Sequence, residues 1–348
     1  MKYYVGLDIS NDETAICVAD YDGTIIKEGM VATEPAAIQK FLRSTKLSYE
    51  RIGLEAGNLS IWLYWALHKS GYPVTCIDAR HAHAVIGIQN VKTDKNDARA
   101  IAHLMRTNLF SSVHVKSDES QRVKMLVNNR RCLVDQRVVL ENQIRGSLKV
   151  FGLKTGKVTT KQYDGRVRDL IDGDGELEAG VFPLLDARSF LMCEINTLNK
   201  MLMTLAKNDP VCRLLTTVPG VGPLTAVLYK AVIDDPSRFK KSKDVAAHAG
   251  ITPRKYASGE VDYNGRITKC GDTMLRSHLF EAASIILRPT MKTNPIKQWG
   301  TRIAKRSSLK NARVAVARKL TIVMHRMWMD GTEFDWGSVS PQESKKMA

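Results

Sequence analysis

The opening third of the chain constrains the fold most. Three short runs rich in β-branched and aromatic residues, 3–8 (YYVGLD), 14–19 (TAICVA) and 24–31 (TIIKEGMV), are broken by Asn11-Asp12 and Asp22-Gly23. These dipeptides are turn signals between hairpin strands, so the three runs are expected as antiparallel strands. A helical stretch over 35–45, a strand over 51–54, a helix over 60–70 and a strand over 73–77 follow. The change from hairpins to alternating helix and strand specifies an α/β domain with a mixed sheet. At 348 residues the chain is longer than one core ordinarily serves, and 44% apolar content suffices for two domains.

Beyond that domain the pattern becomes helical. Residues 94–108 (DKNDARAIAHLMRTN) set Ala98, Ile101, Ala102 and Met105 at helical spacing, which places Asp94 and Asp97 on the first turn of an amphipathic helix. Between 119 and 151 there is no proline, and Val123, Leu126, Val127, Leu133, Val134, Val138, Ile144 and Leu148 recur at intervals of three and four. A second such stretch spans 184–206. The two are expected as a helical hairpin or coiled-coil arm with the Gly- and Asp-rich stretch 164–180 between them, although a plain helical linker would carry the same pattern. At 214–226, LLTTVPGVGPLTA reads as a helix-hairpin-helix turning at Gly220 and Gly222. Such a turn offers backbone N–H groups and a helix N-terminus to a phosphate without reading a base, and an ordinary tight helix connection would look the same. The expected division is 1–115, α/β domain; 116–210, helical arm; 211–335, mainly α-helical C-terminal domain; 336–348, tail.

Charge narrows the partners. The net charge of +16 and a pI near 9.6 point to a polyanion and away from small neutral metabolites, without telling DNA from RNA. The excess lies mainly between Arg238 and Arg326. Cys17, Cys76, Cys132, Cys193, Cys212 and Cys270 form no CxxC pair, so neither a zinc site nor a disulfide framework is expected. No run approaches the roughly 20 apolar residues that span a bilayer, and a soluble cytoplasmic protein with no membrane partner is expected.

Four acids stand at element ends. Asp8 closes the strand of VGLDIS, Glu55 that of IGLEAG, and Asp94 and Asp97 are three apart in KTDKNDA, on one helix face. Singly each has a mundane role: Asp8 closing a turn, Glu55 capping residues 58–60, Asp94 serving as an N-cap. Together, on neighbouring strands, they would concentrate negative charge that divalent cations must neutralise, and all-oxygen ligation favours magnesium or manganese over zinc. Two ions about 4 Å apart would clamp phosphate oxygens of a nucleic acid. This order of elements is that of ribonuclease-H-like folds. An actin-like ATPase also starts with an acid-bearing hairpin, but it needs further Gly-rich phosphate-binding hairpins that the chain lacks.

With these residues in place the chain resembles the IS110-type insertion-sequence transposases, including the IS1111 subgroup and the Piv-type DNA invertases. The resemblance covers nearly the whole chain: LDIS, LEAG and KTDKNDA, then VPGVGPLTA, AAHAGITPRKYASGE and RITKCGDTMLRSHLFEAA in that order and spacing. It implies a RuvC-like N-terminal domain whose Asp-Glu-Asp-Asp set falls on Asp8, Glu55, Asp94 and Asp97. It also implies a strand-attacking serine at Ser258 of KYASGE, a bridge RNA that pairs with donor and target DNA, and a homo-oligomeric assembly, a dimer or a tetramer of two dimers.

A serine hydroxyl must lose its proton to attack. Around Ser258 the sequence offers Arg254, Lys255, Arg266, Lys269 and Arg276, suited to holding phosphate, but no obvious base, which suggests a composite site completed by the carboxylate-bound metal. Tyr256 and Tyr263 are rival nucleophiles. His81 and His83 have metal-like spacing but are expected to face solvent. A RuvC-like nuclease using water is the competing function, and a non-catalytic RNA-binding descendant a third that four intact carboxylates oppose.

Overall fold

The computed structural model describes residues 1–78 and 93–337, so His81 and His83 lie outside the described residues. The chain forms two compact units, Met1–Lys116 and Ser117–Ala348.

The first unit contains β1 (Tyr3–Ile9), β2 (Glu13–Ala19), β3 (Ile25–Ala32), α1 (Pro35–Ser44), β4 (Tyr49–Glu55), α2 (Ser60–Lys69), β5 (Val74–Ile77) and α3 (Asp94–Thr107). Its sheet runs β3-β2-β1-β4-β5. The β1–β2 and β2–β3 pairs are antiparallel, whereas β1–β4 and β4–β5 are parallel, which gives the expected mixed sheet. Alternation along the strands sorts the two faces. Val5, Leu7, Ile52 and Leu54 are buried with Ile38 and Leu42 of α1 and Leu63 and Leu67 of α2. Tyr4 points the other way, into a smaller cluster with Ile101, Leu104 and Met105 of α3.

Helix α3 lies unusually close to the sheet, and two glycines allow it. Gly6 of β1 and Gly53 of β4 are direct register partners. A Cβ on Gly6 would sit 2.0 Å from the carbonyl oxygen of Ala98 and 2.4 Å from the nitrogen of Ala102. One on Gly53 would sit 2.7 Å from Met105 Cγ and 2.9 Å from Ile101 Cγ2. With hydrogen in place of a side chain at both positions, the helix backbone rests directly on the ladder. Arg99 then ties α3 to β3, donating to both carboxylate oxygens of Glu28 at 2.5 and 2.7 Å. These bonds hold the Glu28 carboxyl below its ordinary range.

The second unit contains α4 (Asp118–Val150), α5 (Tyr163–Ile171), α6 (Gly175–Asn208), α7 (Pro210–Thr216), α8 (Pro223–Ile233), α9 (Ser242–His248), the hairpin β6 (Pro253–Ser258) and β7 (Val261–Ile267), then α10 (Thr273–Ile286), α11 (Pro295–Arg306) and α12 (Leu309–Asp330). The long helices α4 and α6 pack antiparallel: contacts pair Arg130 with Asn199, Arg137 with Met192 and Glu141 with Arg188, one number falling as the other rises. Val127, Leu202 and Ala206 of these helices share one core with α7, α8, α10 and α12.

The stretch 164–180, expected as an irregular connection, is largely helical. Tyr163, Val167 and Ile171 recur every four residues and bury α5 against Ile144, Leu148, Val181 and Leu185. The Asp174 carboxylate caps α6 by accepting from the Leu177 N–H at 3.1 Å, so that helix starts nine residues before the expected 184 and contains Pro183. Among the described residues no helix is long and apolar enough to cross a membrane.

Candidate carboxylate centre and serine hairpin

The seating of α3 determines where the acids fall. Asp8 is two residues beyond Gly6 and Glu55 two beyond Gly53, so by strand alternation both acids belong to the face that α3 covers. The β1–β4 register ends at Leu7 and Leu54, which makes Asp8 and Glu55 neighbours at the C-terminal edge of two parallel strands. Asp94 and Asp97 occupy the first turn of α3, directly before the Ala98 that rests on Gly6. Thr93 fixes that turn, its hydroxyl accepting from the Asn96 N–H at 3.2 Å. All four acids therefore fall on one face and toward one end of the sheet.

Within this group Asp94 is exposed and Asp97 is buried, at 9% exposure. Among the described residues the Oδ1 atom of Asp97 has no hydrogen-bond partner, which leaves a buried carboxylate oxygen for a cation or donor to satisfy. Among the described residues no group of three or more His, Cys, Asp or Glu side chains is gathered closely enough to hold an ion, so the acids share a face without closing into a finished cage. The donor set is all oxygen and suits a hard divalent cation. Sequence reasoning missed Gly6 and Gly53, and the signal for them is plain: the tripeptides GLD and GLE repeat the same glycine-to-acid spacing on the two strands.

Ser258 is the last residue of β6, opposite Val261 across a two-residue turn in which Gly259 takes a left-handed φ of 55°. It thus ends a strand. Every residue of β6 is exposed. Tyr256 faces Tyr263 with ring centroids 5.1 Å apart and nearly parallel, and this stack holds the face of the ribbon that carries Ser258. On the opposite face Lys255 meets Asp262 at 3.2 Å, an exposed pair of small energetic weight. Among the described residues no histidine or acid hydrogen-bonds to the Ser258 hydroxyl.

The other cationic candidates divide. Arg254, Lys255, Arg266 and Lys269 are exposed; Arg254 is lightly tethered to the Thr268 carbonyl at 3.5 Å and Lys255 to the Asp262 carboxylate at 3.2 Å. Arg276 is half-buried, and its guanidinium donates to the Ala249 and Gly271 carbonyls and to the Thr273 hydroxyl. Those bonds make it a strut under the base of the hairpin. Gly220 and Gly222 divide in the same way. Gly220 has φ 77° and packs on α10, where a Cβ would lie 2.6 Å from the Ala282 carbonyl oxygen. Gly222 is exposed at the N-terminus of α8 with open space around it.

Cysteines are unsuited as rival nucleophiles in the core. Burial pushes the thiols of Cys17 and Cys212 up to about 12 and that of Cys76 up to about 11, so all three stay protonated at neutral pH.

Comparison with known proteins places the chain among transposases. Residues 5–152 match the DEDD transposase model of the IS110 type, and residues 212–296 match the model described as the transposase IS116/IS110/IS902 family. A putative transposase of Sinorhizobium fredii is 31% identical over 78% of this chain and 71% of its own length. The transposase for insertion sequence element IS1111A of Coxiella burnetii is 29% identical over 90% and 86%. The pilin gene-inverting protein of Moraxella lacunata is 24% identical over 96% and 98%. The chain belongs to the IS110 family of transposases.

Proposed function

We propose that the protein is a DNA transposase that cuts and exchanges strands through a covalent 5′-phosphoserine on Ser258, assisted by a divalent metal at Asp8, Glu55, Asp94 and Asp97. The observation that supports this reading is the seating of α3 on Gly6 and Gly53, with Asp8 and Glu55 at the ends of β1 and β4 and Asp94 and Asp97 on the first turn of α3. The first unit is read as RuvC-like, residues 116–210 as a coiled-coil arm and 211–335 as the domain that presents the serine.

In the proposed step the Ser258 Oγ attacks a DNA phosphorus, an O–P bond forms, and the bond to the 3′ oxygen breaks. The serine proton is lost, and the departing 3′ oxygen takes up a proton as a free hydroxyl. The phosphoserine keeps the energy of the broken phosphodiester, so rejoining to another strand needs no ATP. Arg254, Lys255, Arg266 and Lys269 would balance the charge of the phosphate. Gly222 at the start of α8 would receive a neighbouring phosphate, with Gly220 shaping the turn. Magnesium or manganese at the acids would polarise phosphate oxygens.

The family resemblance extends the proposal to a bridge RNA that selects donor and target DNA, and to a dimer or tetramer as the working form. One observation favours a second reading, hydrolysis by a RuvC-like nuclease: no base touches Ser258 among the described residues. A nicked DNA substrate that traps the reaction separates the two, because only the serine route leaves a denaturant-resistant protein–DNA adduct.

A further inference from the structure

No Asp or Glu occurs between Glu281 and Asp330, a stretch that carries eleven Lys and Arg. Folding gathers most of it into the pair α11–α12. Gly300 brings these helices together, since a Cβ there would lie 2.6 Å from Val316 and 2.8 Å from Leu287. Beside that close approach, Pro295, Ile296, Trp299 and Lys319 line an open cavity of about 310 Å³, at the small end of the range for ligand pockets.

Trp299 is the unusual member. It is 36% exposed, although the core of this unit runs just beneath it at Ile296 and Val316. Arg302 and Arg306 follow it at three and seven residues, on the same helix face, and both are exposed. Lys319 stands on the facing helix. An exposed indole beside an ammonium group, continued by two guanidinium groups with no acid on either helix before Asp330, is complementary to one kind of partner. That partner offers a flat π-face and a line of negative charge.

We propose that Trp299 stacks an unpaired nucleobase, while Lys319, Arg302 and Arg306 carry the phosphates of the same strand. A duplex hides its base faces, so the site selects single-stranded or flipped-out nucleotides over paired ones. The proposal rests on the nucleic-acid reading above and adds a site remote in sequence from Ser258 and from the four acids.

The test measures binding of the full-length protein to a short single-stranded DNA, to the RNA of the same sequence, to the DNA duplex and to a single strand bearing abasic positions. Trp299→Ala should weaken single-strand binding roughly 5- to 150-fold, the range that corresponds to the loss of one stacked base. Trp299→Phe should retain most of the affinity, and neither change should alter binding to the duplex or to the abasic strand. A loss confined to the DNA or to the RNA arm names the source of the base. Lys319→Ala should weaken every arm alike and lower the salt slope by about one. Unaltered single-strand affinity in a folded Trp299→Ala protein overturns the stacking site alone. A parent protein that binds none of the four probes overturns the stacking site and the nucleic-acid reading together.

Discussion

Asp97 and Ser258 are placed by opposite means. Asp97 sits on a helix pressed against a buried sheet, with the position of its backbone set by the Ala98–Gly6 contact. Ser258 ends a strand whose six residues are all exposed, on a ribbon held by a tyrosine stack above and by Arg276 at its base. An isolated two-stranded hairpin has little stability of its own. The difference teaches where each kind of failure will appear: damage to the glycine seating beneath the carboxylate centre is coupled to folding, whereas damage to the hairpin is confined to chemistry.

The largest expected effect follows from Gly6→Ala. The added Cβ meets backbone atoms of α3, which cannot move without lifting the helix, so a destabilisation of about 3 kcal/mol or more is expected, at or beyond the upper end for overpacking. Gly53→Ala should cost less, because its nearest neighbour is the flexible side chain of Met105. Urea unfolding of both variants checks the order, and a fully stable, active Gly6→Ala protein would remove the packing explanation for the acids.

Asp97→Ala isolates the metal from the packing. The change removes a buried oxygen that has no hydrogen-bond partner among the described residues, so stability without metal should stay within about 1 kcal/mol of the parent while recombination is abolished. Magnesium should raise the melting temperature of the parent and leave that of the variant unmoved, since only the parent binds it in the folded state. Full activity of Asp97→Ala in magnesium would sink the four-acid site.

A milder effect is expected from salt. Phosphate contacts made by exposed cations release counterions, so affinity for DNA should fall steeply between about 50 and 200 mM salt. A nearly flat response would contradict a phosphate-holding role for Arg254, Lys255, Arg266 and Lys269. The smallest effects belong to Tyr256→Phe and Tyr263→Phe. Each keeps the stacked ring and loses only an exposed hydroxyl, so stability should change by under about 0.5 kcal/mol and adduct formation should persist. Loss of the adduct in either variant would instead make that tyrosine the nucleophile.

Much of the first region was legible in the sequence because each signal there is local. Turn dipeptides, strand-length runs and the helical spacing of Ala98, Ile101 and Met105 placed every described element of that unit to within a few residues. The closeness of α3 to the sheet was not legible from spacing, because it depends on two glycines 47 positions apart becoming register partners. The hairpin at Ser258 was not legible, because its ribbon buries nothing and leaves no alternating apolar pattern to detect. The intramolecular bonds of Arg276 were not legible, because its carbonyl partners, Ala249 and Gly271, are brought to it only by folding. Glycine and aspartate between 164 and 180 masked α5 and the start of α6, where the every-fourth spacing of Tyr163, Val167 and Ile171 was the stronger signal.

The central claim is that Ser258 becomes joined to DNA. The direct measurement is denaturing electrophoresis of a labelled, nicked substrate after incubation with the parent protein and with Ser258→Ala in magnesium. Removing one hydroxyl from an exposed strand end should leave folding and nucleic-acid affinity nearly unchanged. The account predicts a labelled, denaturant-resistant band with the parent, mapping to the peptide that contains Ser258, and none with the variant. An adduct that survives in Ser258→Ala, or DNA released from the parent as cut strands with no adduct at any time, would contradict it.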